Sequence, residues 1–221
     1  MKLVAIAMFS ALAFVTTAVC GYFPKVAGFL SLELKDSIIL LCSLIFGPLS
    51  GLCIAILVPI IESFTISVTG WYGLVMNVLS SATFVLVTGL IYRYKRTLYG
   101  AIIALVAGVF SVTSIMVLAN LLITPLYLTY MVGNPTTISG VAKKIPTIIL
   151  PFNLVKATLN GAIVLLLYKP LSRVLKRTGF LAAASVEKES AKASPLRSIL
   201  VTAIAVAVII GSLAIIFFVL K

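Results

Sequence analysis

The chain has no histidine and only five acidic residues in 221, and charged residues make up just 10% of it. Without histidine, the commonest zinc ligand and the usual general base near neutral pH are both missing. Its three cysteines, Cys20, Cys42 and Cys53, are odd in number, form no CxxC pair and sit in apolar runs. Neither a disulfide framework nor a metal site is expected, and each thiol reads as a small buried hydrophobe. No GxxxxGK[ST], HExxH or GxSxG occurs, so ATP hydrolysis and intramembrane proteolysis have no foothold. Two acids, Asp36 and Glu62, fall near the ends of apolar runs. Nothing local brings them together for acid/base work, and Glu62 reads as interfacial. No enzyme is expected.

What the chain does contain is apolar length. Hydrophobic residues make up 62% and the mean hydropathy is +1.26, whereas soluble domains are roughly half apolar and about a quarter charged. About 20 apolar residues cross a bilayer as a helix. Candidate runs lie at 3–20, 37–46, 49–66, 73–92, 99–131, 149–168 and 198–220. The second is short and stops at "FGPLSG", where Gly47 and Pro48 favour a turn. The fifth is long and contains Pro125, which predicts a kink. The opening run is longer than a secretory h-region, and Val19 before Cys20 is too large for lipoprotein cleavage. It reads as a retained helix. The prediction is an all-α integral membrane protein whose solvent is the lipid bilayer.

The net charge of +12 might suggest nucleic acid, but the basic residues cluster between apolar runs, as "RYKR" at 93–96 and "KPLSRVLKR" at 169–177. That is the positive-inside pattern of cytoplasmic loops, so no nucleic-acid partner is expected. It predicts a cytoplasmic amino terminus, with 21–36, 63–72 and 132–148 outside. Residues 178–197 are small, polar and charged and read as a cytoplasmic linker, and the aliphatic run 198–220 reads as an anchor.

The costly residues concentrate in "ILPFNLVKATLNGAIVLLLYKPLSRVLKR". Asn153, Lys156 and Asn160 are spaced i, i+3, i+7 and share one helix face. A lysine deep in a span costs about 2.5–3.5 kcal/mol on insertion scales unless it pairs or reaches water. Two readings stay open: a snorkelling lysine with asparagines gluing helices together, or a polar site for a ligand's carbonyls and hydroxyls. Asn120 precedes Pro125 and could face the same cavity. Tyr127 and Tyr130 could flank a planar ligand or belong to an interfacial belt. Ala7 and Ala11 form a small-xxx-small face on the first helix, which permits close approach of another helix.

Four stretches, "FLSLELKDSIILLCSLIFGPLSG", "GWYGLVMNVLSSATFVLVTGLIYRYKRT", "NLLITPLY" and "ILPFNLVKATLN", resemble the substrate-binding S components of energy-coupling factor vitamin transporters, closest to the riboflavin-specific type. The resemblance covers most of 1–177. It implies a six-helix vitamin-binding bundle, to which 198–220 adds a further helix. It also implies a pocket at the outer face under the loop that follows the first helix. Asn120, Asn153 and Lys156 would hydrogen-bond the flavin ring or ribityl chain, and Leu30, Ser31, Leu32 and Glu33 would contribute backbone contacts. Ala7 and Ala11 would dock a transmembrane coupling subunit that works with two ATPases in a bacterial plasma membrane. Riboflavin would be the transported ligand, with no cofactor. Where the family has acid–aliphatic–proline after the first loop, this chain reads "DSII". Thiamin or pantothenate as the ligand, or a membrane scaffold role, are the competing readings.

Overall fold

The computed structural model describes residues 2–23, 30–177 and 195–215. They form helices α1 (Lys2–Cys20), α2 (Lys35–Phe46), α3 (Pro48–Thr65), α4 (Gly70–Tyr94), α5 (Leu98–Tyr130), α6 (Ile138–Lys144), α7 (Leu150–Arg177) and α8 (Pro195–Ala214). A π-helical turn, Ile145–Ile149, joins α6 to α7.

Among the described residues, five stretches are long and apolar enough to cross a membrane: α1, α3, α4, α5 and the continuous run Ile138–Tyr168. The sequence predicts seven. The run at 37–46 falls in α2, whose 12 residues reach only about 18 Å at 1.5 Å each. In α8 the apolar part is the shorter stretch Val201–Ala214, and 216–220 lie outside the described residues, as does most of the linker, 178–194. Residues 195–197 of that linker already belong to α8.

The short α2 is the centre of the bundle. It packs on α1, α3, α4 and α7, and every residue from Lys35 to Leu44 is buried. Burial inside protein is what lets a span stop short of the bilayer's full width. Gly47 makes the break with φ +103°, a conformation closed to residues with a Cβ. Pro48 follows as the first residue of α3, where its missing N–H leaves no bond unmade.

Small residues let the helices close around that turn. A Cβ on Gly51 would stand 2.6 Å from Ser43 Cβ and 2.7 Å from Val85 Cγ1. One on Gly89 would lie within 2.9 Å of Pro48 Cβ and closer still to Ser43 Oγ. Below them Tyr92 and Tyr168 share a hydroxyl–hydroxyl hydrogen bond of 2.8 Å between α4 and α7.

α5 runs through Pro125 as one 33-residue helix, about 50 Å long against a hydrocarbon core of about 30 Å. The predicted outer loop 132–148 holds α6 and the π turn instead. Thr137 starts α6 by accepting a hydrogen bond from Gly140 N at 3.2 Å. Pro146 sits at the start of the π turn, whose wider register tolerates the lost backbone donor.

Candidate ligand-binding site

One end of the bundle gathers loop 30–34, the last turns of α3 and α5 and the first turns of α4 and α7. There a cleft of about 110 Å³ opens, well above the about 10–15 Å³ that one water needs.

Most residues singled out from sequence converge here. Leu30, Ser31 and Glu33 line the cleft from the loop, Asn120 and Tyr127 from α5, and Asn153 and Lys156 from α7. Leu32 points elsewhere: its side chain is buried in an apolar cluster with Leu30, Phe152 and Leu159, which pins the loop onto α7. Tyr130 lies on the surface, 74% exposed. It does not flank the cleft. Ala7 and Ala11 are exposed on α1 and do not line the cleft.

The three polar residues singled out on α7 divide their work. Asn153 donates to Ile149 O at 2.7 Å across one helical turn. Lys156 Nζ bonds Glu33 Oε2 at 3.1 Å, which answers why a lysine can sit two turns into an apolar helix. Asn160 is wholly buried and committed to structure. Its Nδ2 donates to Glu33 O at 3.0 Å and its Oδ1 accepts from Ser37 N at 2.9 Å. It therefore holds the loop and caps α2, a helix whose own preceding residue, Leu34, offers no capping side chain.

Behind the cleft wall the charges continue. Lys35, 0% exposed, bonds Glu62 Oε2 and stands 3.5 Å from Glu33 Oε2. Asn77 completes the set with its amide assigned so that both ends are satisfied, its oxygen accepting from Lys35 Nζ and its nitrogen donating to Glu33 Oε2, each at 3.2 Å. Glu62 is thus a buried partner of Lys35 rather than an interfacial acid. Asp36, also buried, accepts a hydrogen bond from Ser81 of α4. Burial alone would raise the pKa of Glu33, but Lys156 and then Lys35 outweigh it and hold the carboxyl at about 2 against an ordinary 4.5. Glu33 is ionised throughout the physiological range.

Aromatic and amide groups complete the walls. Tyr72 and Tyr127 pack edge to face with centroids 5.9 Å apart. Asn120 donates to Met116 O at 2.7 Å and accepts from Thr124 Oγ1 at 2.9 Å. Sequence reasoning had missed Tyr72, Asn77 and Lys35. Lys35 left a signal, since a lysine beside an aspartate at the start of an apolar run needs a partner. Tyr72 and Asn77 left none of comparable strength.

A cleft of amides, an ammonium–carboxylate pair and an aromatic pair in an apolar bundle suits uncharged polar ligands with a planar part. The family model "ECF transporter, substrate-specific component" matches residues 1–171. The chain belongs to that family. As a substrate-specific component it is not an enzyme, and it works as a multi-pass membrane protein with an energy-coupling module. It is 30% identical over 181 residues to the riboflavin transporter RibU of Staphylococcus aureus (strain TCH60), covering 80% of this chain and 93% of that protein. It is 28% identical over 160 residues to the riboflavin transporter FmnP of Bacillus subtilis (strain 168), covering 70% of this chain and 83% of that one. A solved structure described as the S component of a bacterial ECF transporter superposes with a TM-score of 0.67 at 29% identity, covering 80% of this chain and 98% of that chain.

Proposed function

We propose that this substrate-specific component captures riboflavin at the cleft for ATP-driven uptake. The observation that carries the reading is the pairing of Asn153 and Lys156 on one face of α7 with Asn120 and the Tyr72–Tyr127 pair opposite, all lining one cleft. Flavin offers ring carbonyls and nitrogens to an ammonium and amides, its ring suits tyrosines, and its ribityl hydroxyls can exchange hydrogen bonds with amides and with Ser31. The names of the two relatives support the same ligand. The protein, purified in detergent, should quench flavin fluorescence on titration with riboflavin, and excess thiamin or pantothenate should not compete. No quenching, or displacement by either vitamin, would overturn the assignment.

The same reading places the cleft outside the cell, the amino terminus in the cytoplasm and the chain in a bacterial plasma membrane. Residues 1–177 form the binding unit, and the additional transmembrane helix expected at 198–220 lies only in part within the described residues, as α8. The coupling module comprises a transmembrane subunit, seated on the Ala7–Ala11 face, and two ATPases. The exposure of both alanines supports that seat. A cysteine at Asn134 should react with an impermeant reagent in intact cells while one at Thr97 stays shielded. The reverse pattern would invert the topology.

A further inference from the structure

The charged groups at the cleft form a chain of alternating sign running inward: Lys156, Glu33, Lys35, Glu62. It crosses from α7 to the loop, then to α2 and α3. Only the first two line the cleft. We propose that Lys35 and Glu62 are positioning residues for ligand binding, setting the place of the Lys156 ammonium through the shared carboxylate of Glu33. The inference rests on riboflavin as the ligand.

The geometry supports it in three steps. Glu33 Oε2 is a single acceptor shared by Lys156 at 3.1 Å, Lys35 at 3.5 Å and Asn77 at 3.2 Å. Its bond to Lys156 is therefore one side of a contest. Lys35 yields in that contest because Glu62 already bonds it directly and Asn77 accepts from it at 3.2 Å. If Glu62 loses its charge, Glu33 is, among the described residues, the carboxylate left within ion-pairing distance of a cation with 0% exposure. A buried cation without a counter-charge is strongly disfavoured. Glu33 then moves toward Lys35, the loop carboxylate leaves Lys156, and the ammonium no longer stands where the cleft holds it. Glu33 and Lys156 also share Asn160, whose amide bonds both their backbone carbonyls at 3.0 Å. The backbone stays fixed while the side chains redistribute.

A double-mutant cycle on riboflavin affinity tests this, using full-length protein in nanodiscs and flavin fluorescence. Glu62→Gln should weaken binding by about fivefold or more in the wild-type background, yet by less than about twofold in Lys156→Met, because the residue it positions is gone. A merely structural role would weaken binding by the same factor in both backgrounds, and that result would overturn the proposal. So would wild-type affinity in Glu62→Gln. Should Glu62→Gln fail to fold, Lys35→Met/Glu62→Gln removes both charges together and leaves no lone buried ion. That pair should still shift affinity only while Lys156 is present, and unaltered affinity would count against the idea. Riboflavin binding by the wild type with an additive cycle would reject the positioning role alone. Absence of wild-type binding would reject the ligand and the role together.

Discussion

At the cleft end, α2 meets its neighbours through Lys35, Asp36 and the amide of Asn160; at the far end, the same helix and the α3 that follows it meet theirs through Ser43, Gly51 and Gly89. The first set of contacts is charged and directional, the second is backbone pressed against side chain. In a bilayer, where apolar surface gains little from leaving lipid, close approach of small residues holds helices together. Polar residues there are expensive and persist where they have partners or a task. The far end is thus built for packing, and the cleft end combines packing with a site.

Breaking the far end should have the largest effect. Gly89→Leu puts a branched side chain where even a Cβ would sit 3.2 Å from the Pro48 backbone. No monodisperse protein should be recovered on size exclusion, and a wild-type profile would refute the packing account. Next comes Lys35→Met, which leaves Glu62 buried without its cation. Loss of one member of a buried pair costs about 3–5 kcal/mol, so the melting temperature should drop clearly while the far-end tyrosine contact survives. An unchanged melting temperature would show that the pair is not load-carrying at the cleft end.

The pH response is smaller and has a definite sign. Glu33 sits at about 2 in the folded chain and 4.5 is its ordinary value. Its depressed pKa stabilises the fold fully above about 4.5, and that contribution is lost as the pH falls toward about 2. Glu33→Gln should remove this part of the acid sensitivity, so melting temperatures measured at about pH 6 and about pH 3 should differ less than in wild type. An equal or greater difference would contradict the ion-pair assignment. The smallest expected effect is on binding in Ala7→Leu/Ala11→Leu. Both sites are exposed on α1, so riboflavin affinity should change less than about twofold while uptake in cells is lost. Parallel loss of both would place that face in the core rather than at a docking surface.

The contrast between the two ends also explains what could be read from sequence. Asn153 and Lys156 stood out because a membrane span makes polar residues conspicuous, and their spacing fixed a common face. Gly47–Pro48 announced its turn through backbone chemistry alone. Lys35 and Glu62 are 27 residues apart, and only the packing of α2 against α3 brings them together, so local reasoning left Glu62 at the interface. Asn160 shared the face of Lys156, but its tie to Ser37 spans 123 positions. Tyr130 and Tyr127 were equivalent in sequence, yet three residues of helical rotation put one in the cleft and the other on the surface. The π turn at Ile145–Ile149 had no composition signal beyond Pro146.

Riboflavin titration of Lys156→Met beside wild type tests most directly the proposed place of Lys156 as the ligand-facing member of the charged chain. A charge-assisted hydrogen bond contributes about 1.5–3 kcal/mol in a water-poor site. Affinity should therefore fall roughly 10–100-fold in a variant that still runs as a folded protein on size exclusion. Wild-type affinity in folded Lys156→Met would contradict the account, leaving Lys156 as no more than the counter-ion of Glu33.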